Sequence, residues 1–494
     1  MINDSGIVFD HIWVVQTEYK WVALTVTTVG TFMVALDASV LVVGLPTLLL
    51  DLGANLVHGV WILTGYRLAI TILLVAIGRV ADMLGRVRLY IMGFAVFTAA
   101  SALCGFSQSG EQLVVFRLLQ GIGGALIIVN SVAVIADAFP PSELGTGIGI
   151  NFMAFNFGSI IGYTLSGVIV ELAGWRWIFF INIPVGLFGT FWARLRLREL
   201  YSGVSEKFDY LGAILYSCAL TLILAALSLD SPTSELGLTL LLAGFVALPI
   251  FVAVERRVPH PTLDLDLFKL RLFSTGNVAS FLNSLAFNSL PFLLTLYLQL
   301  VRHLDPLTTG LIFIPLEAAV LVVGPLSGRL SDRYGARGLC TLGLLFSGIA
   351  LVWFGTIGQD TGFTALMLAL IASGVGRGLF ISPNASSIMG PIDANRRGVA
   401  NGVRTTIVQT GIVVSLPLSL TFMTLGMPYS QLAQLSGGAI DLTSEVTPAF
   451  LSALHWAFYI LAVLTLLAVI PSLLRGPKMT AKLNTEEEDL IHEV

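Results

Sequence analysis

Hydrophobic and polar positions do not alternate along this chain; they come in blocks. Apolar runs of about twenty residues are separated by short polar or charged stretches. Twenty residues of α-helix cover roughly 30 Å, the thickness of a bilayer's hydrocarbon core. Backbone groups find no water there, so such a run closes its hydrogen bonds within itself as a helix. Continuous apolarity also argues against a membrane barrel, whose strands alternate. About fourteen spans are predicted, centred near residues 34, 68, 97, 125, 158, 187, 219, 245, 287, 318, 348, 375, 411 and 462.

Composition sharpens this picture. Of 494 residues, 56% are hydrophobic and 11% charged, where a soluble domain carries about a quarter charged. No basic segment with a short apolar core and a cleavage site precedes the first span, so no cleaved signal peptide is expected. Cys104, Cys218 and Cys340 fall in or beside spans and form no CxxC, which suits small apolar packing residues.

Charge placement sets orientation. Most of the 26 Lys and Arg residues fall in the even-numbered connections, the N-terminus and the C-terminal tail. Arg79, Arg86 and Arg88 follow span 2, and Arg329, Arg333 and Arg337 follow span 10. Arg475, Lys478 and Lys482 are assigned to the tail. Arg176 and Arg302 lie on the opposite side. By the positive-inside rule both termini are expected in the cytosol. The tail NTEEEDLIHEV is acidic and expected to be disordered.

The loop after span 2 occurs twice. GRVADMLGRVR at 78–88 matches GRLSDRYGARG at 328–338, 250 positions later. Gly78, Asp82 and Gly85 have counterparts in Gly328, Asp332 and Gly335, and Arg86 and Arg337 follow in the respective copies. GIGGAL at 121–126 likewise matches GVGRGL at 374–379, so Arg377 stands where the first copy has Gly124. Duplicated six-span halves are an architecture of secondary transporters, with substrate near the midplane between halves.

These residues carry a resemblance. The chain resembles the major facilitator superfamily, and within it the fourteen-helix drug:proton antiporter branch. GRVADMLGRVR is similar to the superfamily's loop between helices 2 and 3. LDASVLVVGLP (36–46), FRLLQGIGGAL (116–126), WRWIFFINIPVG (175–186) and KFDYLGAIL (207–215) resemble that branch's motifs at helices 1, 4, 6 and 7. The resemblance implies an all-α membrane fold of two six-helix bundles plus two central helices. The expected divisions are a cytosolic N-terminus (1–20), an N-terminal bundle (21–200) and two added helices (201–260). Five helices of the C-terminal bundle (261–425), an extracytoplasmic loop (426–448), the last helix (449–475) and a tail (476–494) complete it. Val42 replaces the branch's usual Asn and Val129 its helix-4 Pro. In the helix-5 motif, Gly158, Gly162 and Gly167 are kept, but Tyr163 replaces Pro and Ser166 replaces Gly. The missing proline removes a bend.

Candidate chemistry lies in charges within spans, where each must meet a cavity or a partner. For Asp37 two readings stand: a structural ion pair, or a site that loads and releases a proton. Resemblance implies the second, and gives Arg117 a part in proton coupling. Glu317 is read as a second proton site or an inward structural carboxyl. Arg67 could pair with Asp37 or bind an anionic substrate, and Arg377 could pair with Glu317 or face the cavity near Asn384. Tyr66, Asn130, Tyr163, Asn283, Phe287 and Asn288 are cavity or interhelical residues. The charges of the loops at 78–88 and 328–338 could be only topogenic; the resemblance implies instead a cytosolic latch that forms and breaks as the halves rock.

The expected function is secondary active transport, led by proton-coupled efflux of small amphiphilic or cationic compounds. A carrier of an organic anion is the alternative. A membrane enzyme is disfavoured: no HExxH, G-x-S-x-G or His/Cys cluster at metal spacing occurs. The P-loop pattern is also missing, so energy is expected from an ion gradient. No cofactor, metal or nucleic-acid partner is expected. The partners are substrate, protons and lipid, the location is the cell membrane, and a monomer is implied by resemblance.

Overall fold

The computed structural model describes residues 5–140, 143–200, 209–229, 234–258, 265–392, 396–436 and 446–475, with side chains from residue 19 onward. The acidic tail and residues 437–445 of the extracytoplasmic loop at 426–448 lie outside this set. So do the side chains of Asp82 and Asp332.

Fourteen apolar helices follow one another. In the N-terminal half are α1 (Ser5–Asp51), α2 (Leu56–Leu84), α3 (Arg86–Gly105), α4 (Gly110–Ala138), α5 (Leu144–Ala173) and α6 (Trp177–Phe180 and Asn182–Arg196). Two further helices are α7 (Tyr210–Leu227) and α8 (Glu235–Glu255). The C-terminal half holds α9 (Arg271–Phe287, Leu290–Leu296 and Tyr297–Val301) and α10 (Pro306–Ile312 and Ile314–Tyr334). It continues with α11 (Ala336–Phe354), α12 (Phe363–Met389), α13 (Arg397–Met423) and α14 (Thr447–Leu467 and Val469–Leu473). Among the described residues, thirteen spans are long and apolar enough to cross a membrane, and the shorter apolar helix Leu211–Leu227 of α7 is the fourteenth in order. This is an all-α multi-pass membrane protein. Residues 5–20 do not form a separate segment: α1 runs unbroken through them.

Local chemistry fixes the ends. Asn55 and His58 cap α2 reciprocally, and Ser109 accepts from Gln112 N–H at the start of α4. Asp209 of the KFDYLG stretch caps α7 through Gly212 N–H at 2.9 Å. Asp305 caps α10, its carboxyl held below the usual range by hydrogen bonds from the Thr308 side chain and backbone. The break in α6 follows from Pro184, which has no N–H to give the Phe180 carbonyl. In the WRW stretch, Trp175 Nε1 and Arg176 Nη1 both reach Asp51 Oδ2, at 2.8 and 2.7 Å, tying the α5–α6 turn to the end of α1.

The duplication is visible in the backbone. Gly85 ends α2 at φ 100° and Gly335 ends α10 at φ 82°, each donating back to the preceding turn. Gly335, with ψ 155°, lies in a region that is essentially glycine-only. Gly335→Ala is therefore expected to cost about 1–3 kcal/mol. Thermal unfolding in detergent checks this, and an unchanged midpoint would show that the turn tolerates a side chain.

The core is joined at one end and divided at the other. At the end holding the α1–α2 turn, Leu41, Leu45 and Leu48 of α1 share one apolar cluster with Leu290, Phe292 and Leu294 of α9 and Phe313 of α10. At the end holding the basic connections, Val26, Ile77, Tyr90 and Val134 pack within the N-terminal half. Phe273, Ile388 and Val403 pack separately within the C-terminal half. The added pair α7–α8 rests across the seam, where Tyr216 and Leu220 pack with Leu68 of α2 and Val413 of α13.

Candidate functional site

The deepest polar cluster sits inside the N-terminal half. Asp37 of α1 and Arg117 of α4 form an ion pair at 2.6 Å, with both side chains essentially unexposed. Three N–H donors converge on the Asp37 carboxylate: Arg117 Nη1, Gln120 Nε2 at 2.8 Å and Asn182 Nδ2 at 2.7 Å. Gln120 also accepts from Arg117 at 2.5 Å and donates to Ser101 Oγ of α3 at 2.8 Å. Arg117 Nε is satisfied by the Ile62 carbonyl of α2, and its guanidinium stacks 4.2 Å from the Tyr66 ring. Four helices, α1, α3, α4 and α6, thus meet in this cluster, plus the α2 carbonyl.

Gln120, Asn182 and Ser101 were not singled out by the sequence reading. A signal existed: Gln120 is three residues after Arg117, on the same helix face. Asn182 is the first residue after the α6 break, so the proline two positions later helps to aim it.

A second cluster lies between the halves. Arg377 of α12 reaches Glu317 of α10 at 3.4 Å and lies 5.2 Å over the Phe287 ring of α9. Tyr163 of α5 packs on Phe313 of α10 with ring centroids 5.3 Å apart. Arg67 of α2 does not pair with Asp37; it is partly buried with Tyr66, Tyr163, Arg117 and Arg377 as its electrostatic neighbours. Asn288 donates to the Ser284 carbonyl of its own helix.

Other candidates lie inside single bundles. Asn130 is fully buried and donates to the Leu126 carbonyl. Asn283 is buried on α9, its carbonyl without a partner among the described residues. Asn384 is not a cavity residue here. It donates to Ser280 of α9 and accepts from Arg475, which also donates to Ser387 and to the Cys340 sulfur. Arg475 corrects its assignment as a tail charge: it is 2% exposed and closes the end of the C-terminal bundle. Its guanidinium reaches Cys340 of α11 and Ser387 of α12.

The gate loop is held within its own half. Arg86 Nη1 pairs with Asp137 of α4 at 2.5 Å. The Glu199 carboxylate accepts the Arg86 and Val87 N–H groups at 3.0 Å, which caps α3 in place of a side chain from Gly85. Gly328 lies against Ser382 of α12, Gly78 has only a loose contact with Val129, and Arg337 is exposed.

The helix-5 glycines divide by task. A Cβ on Gly158 would lie 2.6 Å from the Phe32 carbonyl, and one on Gly162 would lie 2.8 Å from Ser39 Cβ; both bring α5 onto α1. Gly167 instead faces α10, where a Cβ would lie 2.5 Å from Pro306 O and overlap Leu307. Gly310 answers it, its missing Cβ leaving room for the Tyr163 carbonyl. Gln299 Nε2 adds a bond to the Val43 carbonyl at 2.9 Å. At the basic end, Gly149 of α5, Gly324 of α10 and Gly402 of α13 have nothing within 4 Å of a built Cβ. The seam between halves is closed at one end and open at the other.

Paired bundles, a seam packed at one end and twinned turns are what a membrane transporter requires. The chain belongs to the Major Facilitator Superfamily, whose family model matches residues 27–416 and 277–493. It is 30% identical over 418 residues to a riboflavin transporter of Clostridioides difficile (strain 630), covering 84% of this chain and 90% of that protein. A tetracenomycin C resistance and export protein of Streptomyces glaucescens is 31% identical, over 79% of this chain and 73% of that one. In fold, the chain matches an inward-facing, occupied bacterial homologue of the human lysosomal transporter Spinster, with a TM-score of 0.67 and 16% identity. That match covers 92% of this chain and 97% of the other.

Proposed function

We propose that this chain exports small amphiphilic organic compounds in exchange for protons, by alternating access, as a monomer in the cell membrane with both termini in the cytosol. The observation that carries this reading is the placement of Asp37: a buried carboxylate on α1 held by donors from α4 and α6, in a chain whose seam is closed at one end only. All three donors to Asp37 are N–H groups. A proton on Asp37 would take the one lone pair these donors leave free and cancel the charge that holds Arg117. Loosening of that pair, with rearrangement of α4, would tie proton uptake to the change of state. Glu317 of α10, held by Arg377 at 3.4 Å, is the second carboxyl buried within a span and the second candidate for the proton path. Relatives named for riboflavin transport and tetracenomycin C export support small organic cargo.

The energetics suffice. One charge moved across 100 mV contributes about 2.3 kcal/mol, and about 1.4 kcal/mol is tenfold, so one net charge per cycle sustains accumulation of tens-fold. The test is transport in proteoliposomes under an imposed pH gradient, with riboflavin and ethidium as probes. Uphill movement that collapses with the gradient is expected. Movement that persists after the gradient is dissipated would sink the proton-coupled reading.

A further inference from the structure

Arg67 has no bland explanation in its own half. Among the described residues its guanidinium makes no hydrogen bond, ion pair or ring contact. An uncompensated arginine in a membrane span is costly and is kept where it meets a ligand or a water-filled path. Its strongest electrostatic neighbours are two tyrosines and two arginines, none of them a carboxylate.

The duplication places this charge. Arg67 and Glu317 are separated by the same 250 positions as Gly78 and Gly328, so α2 and α10 present opposite charges at equivalent sites. Gly124 and Arg377 are equivalent through the GIGGAL and GVGRGL pair, 253 positions apart. In the first half, the bare Gly124 lies under the Tyr66 hydroxyl, 3.0 Å from a built Cβ. In the second half, an arginine fills that position and holds Glu317. Arg117 takes no part, because Asp37 satisfies it. Two guanidinium groups and one carboxylate therefore surround Tyr163, with Phe287 and Phe313 as aromatic walls.

We propose that Arg67 and Arg377 together bind one anionic group, a carboxylate, sulfonate or phosphate, on an amphiphilic aromatic substrate. The group sits beside Tyr163, and the apolar body lies against Phe287 and Phe313. The 3.4 Å contact to Glu317 is longer than a charge-assisted bond of about 2.8 Å, and a guanidinium has five N–H donors, so Arg377 has N–H groups to offer an incoming anion. The assignment rests on the exporter reading only in taking this cavity as the substrate path.

Equilibrium binding to the purified protein in phosphatidylcholine nanodiscs tests it, by fluorescence anisotropy with carboxyfluorescein, a neutral coumarin dye and ethidium. Carboxyfluorescein is expected to bind tightest. Arg67→Gln should weaken it about tenfold or more, the scale of one charge-assisted hydrogen bond, and leave the coumarin within about twofold. Arg377→Gln also unpairs Glu317, so the E317Q/R377Q variant is measured beside it and should show the same selective loss. Arg67→Glu should turn the preference toward ethidium. Unchanged carboxyfluorescein binding in Arg67→Gln, no anion binding by the wild type, or equal loss across all three dyes overturns the assignment. An anionic lipid offers the same chemistry. Displacement of the dye by added phosphatidylglycerol, lost in Arg67→Gln, identifies a headgroup as the occupant; no displacement identifies a soluble anion, and either keeps the arginine pair. Binding needs no gradient, so a protein that binds anions this way yet moves nothing under a pH gradient refutes proton-coupled export and leaves this site standing.

Discussion

Arg117→Ala is expected to lower stability by about 3–5 kcal/mol and to abolish transport. The change leaves Asp37 buried with two amide donors and no countercharge, and it removes one donor each from Gln120 Oε1 and the Ile62 carbonyl. The paired variant Asp37→Leu/Arg117→Met separates structure from function. Replacing a buried ion pair by apolar groups of similar size is often neutral or stabilising. Thermal unfolding in detergent should therefore recover in the pair, while gradient-driven transport in proteoliposomes stays lost. Asp37→Asn should fall between. Its amide oxygen still accepts from Gln120 and Asn182, but its NH2 faces Arg117 donor to donor. Recovery of transport in the apolar pair would show that the cluster only holds the bundle together.

The cluster's charged members were legible because charge in a span is rare. Asp37 and Arg117 stand out against apolar neighbours, and their pairing was one of the two readings available. Gln120, Asn182 and Ser101 were hidden because uncharged polar residues are common in such helices as interhelical glue. Their direction depends on helix rotation, which an all-round apolar helix does not reveal. Asn384 shows the same difficulty, since its partner Arg475 reads as tail in any hydropathy profile. Spans and turns were legible for a simpler reason: the bilayer fixes helix length, and Gly85 and Gly335 occur at matching points of the two copies.

The open and closed ends of the seam were not legible at all. Both halves are equally apolar at either end, and the asymmetry is a property of one conformation. What the sequence does carry is the means of closure. Gly167 and Gly310 permit backbone contact between α5 and α10, whereas Gly158 and Gly162 permit it between α5 and α1 within one half. The same residue type thus serves the fold in one place and the conformational change in another.

That distinction predicts opposite outcomes for similar substitutions. Gly310→Ala puts a methyl group into the Tyr163 carbonyl, and Gly167→Ala puts one into Leu307. Backbone cannot move aside as a flexible side chain can, so the closed seam is expected to lose about 1–3 kcal/mol. The state with this seam open makes no such contact, and its population should rise by about five- to 150-fold. Spin labels at Glu171 of the N-terminal half and Asp360 of the C-terminal half, both exposed at this end, report the separation. They are attached after the exposed Cys218 is changed to Ser, since Cys104 and Cys340 are buried. A longer distance population is expected for Gly310→Ala with little change in the unfolding midpoint. Gly162→Ala should do the reverse, because α1 and α5 stay together in every state: the distances hold and the midpoint falls. If Gly310→Ala instead lowers the midpoint and leaves the distances alone, the α5–α10 contact is a permanent part of the fold, and the seam opens elsewhere.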